Sequence, residues 1–315
     1  MDKLKFIDLF CGIGGFRVAL EKYRLECVFS SDIDRYAQDS YYKNFKEKPN
    51  GDITEISEKK IPNHDVLCAG FPCQSFSISG KQAGIKDPRG RLFYEIIRIS
   101  NYHKPKILLL ENVKNILTVD NGNVIKTIEA KLDEIGYKVK KHILNSSYFG
   151  VPQSRERVYF VAVRKDYSEV LNNYKEPKIT MKKIFLENIL EKNPSEHLFV
   201  KRDDTFISKK EKNIENDFKP IRVGIINKGG QGERIYSPKG HAITLSAYGG
   251  GAGARTGLYY TEDRRVRRLS INECKKIMGF STNHVVSEGI QGYQQLGNAV
   301  IPNMIGYIWK NLGIS

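Results

Sequence analysis

A cysteine with the potential to act as a nucleophile stands directly after a proline in AGFPCQSFS, residues 69–77. The preceding stretch, HDVLCAG, predicts a short buried strand that closes at Gly70. Open α/β sheets bind their ligands just beyond the carboxyl ends of such strands, so Cys73 is placed where a thiolate would meet a bound molecule. Most cysteines are small buried hydrophobes, however, and a nucleophilic role for Cys73 requires partner residues.

Two other groups of residues have the chemistry to assist a thiolate. Glu111 closes the apolar run in PKILLLENV, residues 105–113, where a carboxylate is rarely buried without a partner. QSRERVY, residues 153–159, places Arg155 and Arg157 ahead of a further predicted strand. From these short patterns alone, a structural salt bridge is the favoured explanation of Glu111, and a functional role is the alternative.

A glycine-rich turn follows the first predicted strand in DLFCGIGGF, residues 8–16. Its glycines let the backbone approach a ligand closely. A dinucleotide fingerprint, GxGxxG, would need a third glycine where Arg17 stands, so a pyrophosphate cradle is disfavoured. Asp32 ends the second predicted strand, where an acid typically binds ribose hydroxyls. Together these features indicate a nucleoside-type cofactor without a pyrophosphate.

The elements that must position these residues alternate through the first 165 residues. KFIDLF, ECVFS, HDVLCAG and PKILLLE predict buried parallel strands, whereas RLFYEIIRISNYHK and GNVIKTIEAKLDEIGY carry apolar residues at helical spacing. This alternation predicts a doubly wound α/β sheet. YKVKKHILN and RERVYFVAVR lie close enough in sequence to pair as an antiparallel edge.

The composition changes near residue 166. Residues 166–220 are polar and weakly periodic, and glycines then surround short β-like pieces up to GLYY, which predicts a separate small domain with long loops. Near the end, LSINECKKIMGF predicts a helix. QLGNAVIPNMIGYIWKNLGI predicts a loop followed by an amphipathic helix.

The charge of the chain favours a polyanionic partner. Its 315 residues carry 51 basic and 36 acidic side chains, a net charge of +15. Nucleic acid is the usual partner of such a protein, although a basic protein with no such partner would have the same composition. No apolar run approaches the roughly 20 residues of a membrane helix.

The cysteines and the N-terminus bear on where the protein works. Five cysteines form no CxxC pair, so we expect reduced thiols in a cytoplasm and no zinc site. MDKLKFIDLF enters a predicted core strand at once, and no signal peptide is expected.

CGIGGF, GFPCQSFS, ENV, QSRER and GNAV, in this order and spacing, resemble the motifs of DNA (cytosine-5)-methyltransferases along nearly the whole chain. The resemblance implies a Rossmann-like, doubly wound, mostly parallel sheet with a smaller β-rich target-recognition domain. By this analogy residues 1–185 and 298–315 form the catalytic domain and residues 186–269 the recognition domain. Residues 270–297 would be a hinge returning to the catalytic domain.

The resemblance also implies a mechanism. The Cys73 thiolate would attack carbon 6 of a cytosine flipped out of duplex DNA, which makes carbon 5 nucleophilic. Glu111 would hold N3 and the exocyclic amine, Arg157 would bind O2, and Arg155 belongs to the same catalytic motif. Carbon 5 would then take the methyl group of S-adenosylmethionine, leaving S-adenosylhomocysteine, with no metal involved.

Cofactor-binding positions carry over from the family residue by residue. Asp32 would bind the ribose hydroxyls and Asp52 the adenine amino group. Ile33 departs from the family, because an aromatic residue often covers the adenine at this position, and Cys11 stands where small residues are usual. The remaining positions in this pocket are Phe10, Gly12, Ile13, Gly15, Ile53, Pro72, Leu92, Asn298 and Ala299.

The stretch KGGQGERIYS…AITLSAYGGG resembles the recognition loops of a bacterial modification enzyme of this family, which implies the target GCGC, methylated at its first cytosine. Arg234 would bridge O6 and N7 of a guanine, and Ser79 and Gln231 would fill the gap left by the flipped base. Basic glycine-rich loops that contact only the DNA backbone are the alternative. The other expected DNA contacts are Gln74, Ser77, Thr244, Tyr248 and Gly251.

The implied partner is double-stranded DNA, bound by a monomer in the bacterial cytoplasm, at the nucleoid and away from membranes. A cognate restriction endonuclease is expected in the same system but not as a bound subunit. A nicotinamide oxidoreductase explains the sheet but not the missing third glycine. A catalytically dead DNA-binding homologue is disfavoured by intact Cys73, Glu111 and Arg157, and a cysteine hydrolase by the absence of a papain-like or caspase-like signature around Cys73.

Overall fold

The computed structural model describes residues 3–72, 91–180, 182–209 and 214–314. The chain forms two compact units. Unit 1 comprises Met1–Leu144, Glu156–Pro177 and Ile305–Ser315. Unit 2 comprises Asn145–Arg155 and Lys178–Met304.

Unit 1 is built on a six-stranded sheet with the strand order β2-β1-β3-β4-β6-β5. Strand β1 pairs in parallel with β2 and β3, β3 pairs in parallel with β4, and β6 is antiparallel to β4. The strand order reverses between β1 and β3, which is where such sheets bind ligands. The strands are β1 (Lys5–Leu9), β2 (Glu26–Ser31), β3 (Val66–Gly70), β4 (Ile107–Val113), β5 (Tyr137–Asn145) and β6 (Glu156–Arg164).

Continuous apolar runs form the central strands because these strands are buried on both faces. Alternate residues of β1, β3, β4 and β6, among them Ile7, Leu67 and Leu108, pack with Phe93 and Ile128 in one core cluster. That cluster covers one face of the sheet with two amphipathic helices. The helices of unit 1 are α1 (Gly15–Leu20), α2 (Arg35–Phe45), α3 (Arg91–His103), α4 (Asn123–Glu134), α5 (Ser168–Asn173) and most of α8 (Pro302–Leu312).

Unit 2 contains a five-stranded sheet in the order β11-β10-β9-β8-β7. Its core includes Val223, Ile226, Ile235 and Leu258. A capping box between Ser270 and Glu273 starts helix α6. The elements are β7 (Thr205–Ile207), β8 (Ile221–Ile226), β9 (Arg234–Ser237), β10 (Leu258–Tyr260), β11 (Val266–Arg267), α6 (Ile271–Ile277) and α7 (Gly289–Asn298).

The predicted doubly wound sheet, its four parallel strands and the two long helices are confirmed, and β5 lies beside β6 at the sheet edge as expected. QLGN was expected to be a loop but completes α7. In the described part of the chain, no helix is both long and apolar enough to cross a bilayer.

The two compact units divide the chain at other positions than the functional boundaries at residues 185, 269 and 297, which stay a prediction. Residues 145–155 belong to unit 2 because their backbone pairs with residue 242. The Ala242 N–H donates to the Pro152 carbonyl, and the Ser154 N–H donates to the Ala242 carbonyl, each at 2.8 Å. Residues 186–269 and 270–297 lie in the same unit.

Candidate active site

Glu111 and Arg157 form an ion pair at the carboxyl end of β4. The antiparallel register of β4 and β6 sets Val113 opposite Arg157 and Glu111 opposite Tyr159. Arg157 Nε lies 3.2 Å from Glu111 Oε1, with the side chains 13 % and 10 % exposed. The predicted carboxylate and guanidinium are therefore held together on two neighbouring strands.

The same end of the sheet holds the chain that leads to Cys73. Gly70, the last residue of β3, pairs with Glu111 on β4. Asn112 Nδ2 donates to the Phe71 carbonyl at 2.8 Å, which fixes the chain two residues before Cys73. Cys73 itself lies outside the described residues, as do the other expected contacts Gln74, Ser77 and Ser79.

The glycine turn between β1 and α1 takes up left-handed backbone conformations. Phe10, Gly12 and Gly14 have φ angles of 55°, 53° and 85°. A Cβ on Gly14 would meet the Phe45 ring at 2.4 Å, so this position requires glycine. Phe10 is not a glycine, and strained backbone of this kind persists where surrounding contacts hold it, often at ligand sites.

Asp32 connects the turn to the end of β2. Its carboxylate accepts hydrogen bonds from the backbone N–H of Gly12 at 2.7 Å and of Asp34 at 2.9 Å. Burial raises the pKa of Asp32, and these two hydrogen bonds oppose that rise. The carboxylate is thus positioned beside the turn, as expected of a group that binds hydroxyls.

The other expected cofactor residues in unit 1 differ in how far their side chains are exposed to solvent and in the contacts they make. Ile13 and Ile53 are buried, so their side chains serve the core. Asp52 Oδ1 accepts from the backbone N–H and the hydroxyl of Thr54, which makes it a helix cap. Ile33 is 72 % exposed. Gly15 starts α1, Pro72 is exposed, and Leu92 is half-buried at the start of α3.

Arg155, which the motif grouped with the catalytic residues, is buried inside unit 2. Its Nη2 donates to the carbonyls of Gly297 at 3.0 Å and Ala299 at 3.1 Å, and its Nη1 to the Leu245 carbonyl at 3.5 Å. Asn298 and Ala299, at the end of α7, are thereby held by Arg155. This geometry supports a positioning role for Arg155.

Gln153 is a functional candidate that the sequence analysis missed, although it begins the QSRER motif. Its fully buried side chain donates from Nε2 to the Ile277 carbonyl at 2.9 Å. Its Oε1 accepts from the Leu245 N–H at 3.2 Å. Gln153 and Arg155 both anchor the chain at residue 245, next to an expected DNA contact.

The expected DNA contacts in unit 2 lie on two glycine-rich loops, residues 227–233 and 246–257, and beside them. Gln231, Arg234, Tyr248 and Gly251 are exposed. The Thr244 hydroxyl instead donates to the Ser154 carbonyl at 2.6 Å. The loops touch through glycines: the Gly253 N–H donates to the Gly232 carbonyl, and a Cβ on Gly232 would meet the Gly250 carbonyl oxygen at 2.4 Å.

The profile of the C-5 cytosine-specific DNA methylase family matches residues 4–313. The chain belongs to this family. The methylase is 47 % identical over 315 residues to the type II methyltransferase M.HhaI of Haemophilus parahaemolyticus, an alignment that covers 99 % of this chain and 95 % of the relative. It is 37 % identical to M.MspI of Moraxella sp, over 99 % of this chain and 71 % of the relative.

Solved structures agree with this assignment. The Entamoeba histolytica methyltransferase EhMeth superposes on the methylase with a TM-score of 0.77 at 26 % identity, covering 99 % of this chain and 98 % of that one. The protein is therefore an S-adenosylmethionine-dependent DNA (cytosine-5)-methyltransferase, and the resemblance inferred from the sequence motifs is confirmed.

Proposed function

We propose that Cys73, Glu111 and Arg157 carry out methyl transfer to a cytosine flipped out of duplex DNA. The observation that supports this assignment is the Glu111–Arg157 ion pair, set beside the backbone that leads to Cys73. A cytosine ring needs both groups, because an acid must meet N3 and the exocyclic amine while a cation meets O2.

The bonds change in a balanced sequence. The Cys73 thiolate bonds to carbon 6, and the electron pair of the 5,6 double bond moves to carbon 5. Glu111 in its protonated form would donate to N3 and so stabilise the electron-rich ring. S-adenosylmethionine supplies an electrophilic methyl group on its sulfonium sulfur. Carbon 5 would bond to the methyl carbon as the methyl–sulfur bond breaks, and transfer of the carbon 5 proton to a base would restore the double bond and release the Cys73 thiolate.

The turn at residues 10–15 and Asp32 fit this cofactor. The left-handed backbone at Gly12 leaves open space where a Cβ would stand, and Asp32 supplies a carboxylate beside it. Phe10, Ile33 and Asp52 are proposed to complete the adenosine site, with the cofactor leaving as S-adenosylhomocysteine and no metal taking part. Asn298 and Ala299 are also proposed to bind the cofactor, as the resemblance to the family implies.

We propose GCGC as the target, methylated at its first cytosine, on the strength of the identity to M.HhaI and of the exposed loop residues Gln231, Arg234 and Tyr248. Gln231 and Ser79 would fill the gap left by the flipped base. The relatives are named type II methyltransferases, and the proposed role is host-DNA modification beside a separate restriction endonuclease. A monomer acting in the cytoplasm serves this role.

The deciding experiment is transfer of labelled methyl groups from S-adenosylmethionine to unmethylated duplex DNA, mapped by bisulfite sequencing. Protection confined to the first cytosine of GCGC supports both the chemistry and the target. Protection at another sequence keeps the chemistry and refutes the target. Absence of transfer by folded protein that binds both ligands refutes the proposed catalytic role.

A further inference from the structure

Two histidines of unit 1 lie in ring contact at the end of the sheet opposite the proposed active site. His64 precedes β3, and His103 is the last residue of α3. Their ring centroids are 4.9 Å apart, with the ring planes at 47°. β3 leads into residues 73–90 and α3 follows them, so the pair joins the two elements that border the Cys73 segment.

A backbone carbonyl determines which nitrogen of each ring carries the proton. His64 Nδ1 lies 2.8 Å from the Pro62 carbonyl oxygen, and His103 Nε2 lies 2.9 Å from that of Glu58. A carbonyl only accepts hydrogen bonds, so each of these nitrogens carries the proton. In a neutral imidazole the lone pair then resides on the other nitrogen, His64 Nε2 and His103 Nδ1.

Both lone-pair nitrogens are buried and meet no hydrogen-bond donor among the described residues. Leaving buried polar atoms unpaired is costly, and an electron-pair acceptor bound by both nitrogens would remove that cost. His64 is 8 % exposed.

The carboxylates around the pair already have cationic or N–H partners. Asp65 accepts from the Lys5 N–H and pairs with Lys106. Glu58 and Glu95 both pair with Arg98. Among these side chains, the atoms with a lone pair and no partner are therefore His64 Nε2 and His103 Nδ1.

We propose that His64 Nε2 and His103 Nδ1 bind a borderline transition-metal ion such as Ni²⁺, Cu²⁺ or Zn²⁺, with water completing its coordination. Imidazole nitrogen suits these ions. A histidine that binds a metal usually donates its other ring N–H to a carbonyl or carboxylate, as both rings do here. No group of three or more His, Cys, Asp or Glu side chains in the described ranges forms a metal cluster, so two protein ligands define this site.

The bound ion would tie the start of β3 to the end of α3. It would take no part in methyl transfer, because the pair lies at the amino end of β3 and the Glu111–Gly70 pairing lies at its carboxyl end. Its expected effect is a higher melting temperature, since a ligand that binds only the folded state stabilises it.

The test is calorimetric titration of the full, untagged, chelator-treated protein with NiCl2. We expect one strong site, weakened in His64→Gln and in His103→Gln by at least the roughly 10–100-fold that loss of a supporting partner costs at a metal site. His197→Gln, at an exposed histidine, is the matched control and should leave the affinity unchanged. Cys73→Ala should also retain the site, and loss of binding there would move the ion to that thiol and overturn the proposal.

A second measurement needs no substituted histidine. Sub-stoichiometric Ni²⁺ should broaden the imidazole NMR signals of His64 and His103 before those of the other four histidines. Earlier broadening of another histidine, or the absence of Ni²⁺ binding, would overturn the proposal and leave a buried water that donates to both nitrogens as the explanation.

Discussion

Arg157 Nε and Glu111 Oε1 lie 3.2 Å apart on neighbouring antiparallel strands, in side chains that are nearly buried. One contact thus fits both interpretations of Glu111: it is a structural salt bridge, and it joins the two residues to which the family motifs assign catalytic roles. A base bound at the proposed site would meet a carboxylate and a guanidinium whose relative position is set by the sheet register, so neither group would have to be ordered during the reaction.

Replacing Glu111 by Gln should separate catalysis from folding. The substitution keeps the side-chain shape but replaces an acid that can give its proton to N3 by an amide that cannot, so we expect methyl transfer to fall by about 10²–10⁴-fold. Cofactor binding should be retained. Glu156→Gln, at an exposed carboxylate paired with Lys114, is the control, and an unchanged transfer rate in Glu111→Gln would contradict the assignment.

Cys73→Ala should abolish turnover and leave DNA binding intact, because only the covalent step needs sulfur. Single-turnover methyl transfer and a gel-shift assay measure the two properties separately. A folded variant that no longer binds DNA would argue against this division of roles.

Ile33→Trp should tighten S-adenosylmethionine binding. Ile33 is 72 % exposed directly after Asp32, where an aromatic ring would cover the adenine and contribute about 0.5–1.5 kcal/mol. Calorimetry would show a dissociation constant lowered by roughly 2–12-fold. Ile179→Trp, at another exposed isoleucine, controls for nonspecific hydrophobic gain, and equal tightening in both variants would refute a specific adenine contact.

Arg234→Ala should relax base preference more than it weakens nonspecific binding. A bidentate arginine–guanine contact accounts for about 1–3 kcal/mol of discrimination. Methylation of GCGC duplexes and of duplexes with one substituted guanine measures the change. Arg222→Ala, at an exposed arginine of β8, should leave discrimination intact, and unchanged discrimination in Arg234→Ala would contradict the proposed contact.

Stability should fall in mildly acidic solution because of two buried histidines. Burial lowers the pKa of His64 and of His241 to about 4, whereas an unfolded histidine titrates near 6.5. The unfolded chain therefore binds more protons between these values, and the free energy of unfolding drops as pH falls from about 6.5 to about 4. Each histidine contributes at most about 1.4 kcal/mol per pH unit.

Denaturant melts between pH 7 and pH 4 measure this slope. His241→Gln should flatten it, whereas His197→Gln, at an exposed site, should not. An equal slope in wild type and His241→Gln would show that other groups control acid stability.

Much of the fold follows from local pattern. The runs KFIDLF and PKILLLE form β1 and β4 because strands buried on both faces are apolar along most of their length, with Asp8 and Glu111 as buried exceptions. Helices α3 and α4 follow from apolar residues at helical spacing. Side chains at the ends of these strands, Asp32 and Glu111, were placed correctly because a strand end is a local property.

The sequence by itself determined the family, the reaction class and the residue types at the site, since these depend on short motifs in a given order. The tertiary structure decided which of those residues meet. Three of these contacts join residues at least 46 positions apart. They are the ion pair of Glu111 with Arg157, the hydrogen bonds of Arg155 to the Gly297 and Ala299 carbonyls, and that of the Thr244 hydroxyl to the Ser154 carbonyl. Such contacts depend on strand order and register, which arise from packing the whole chain and leave no trace in a local pattern.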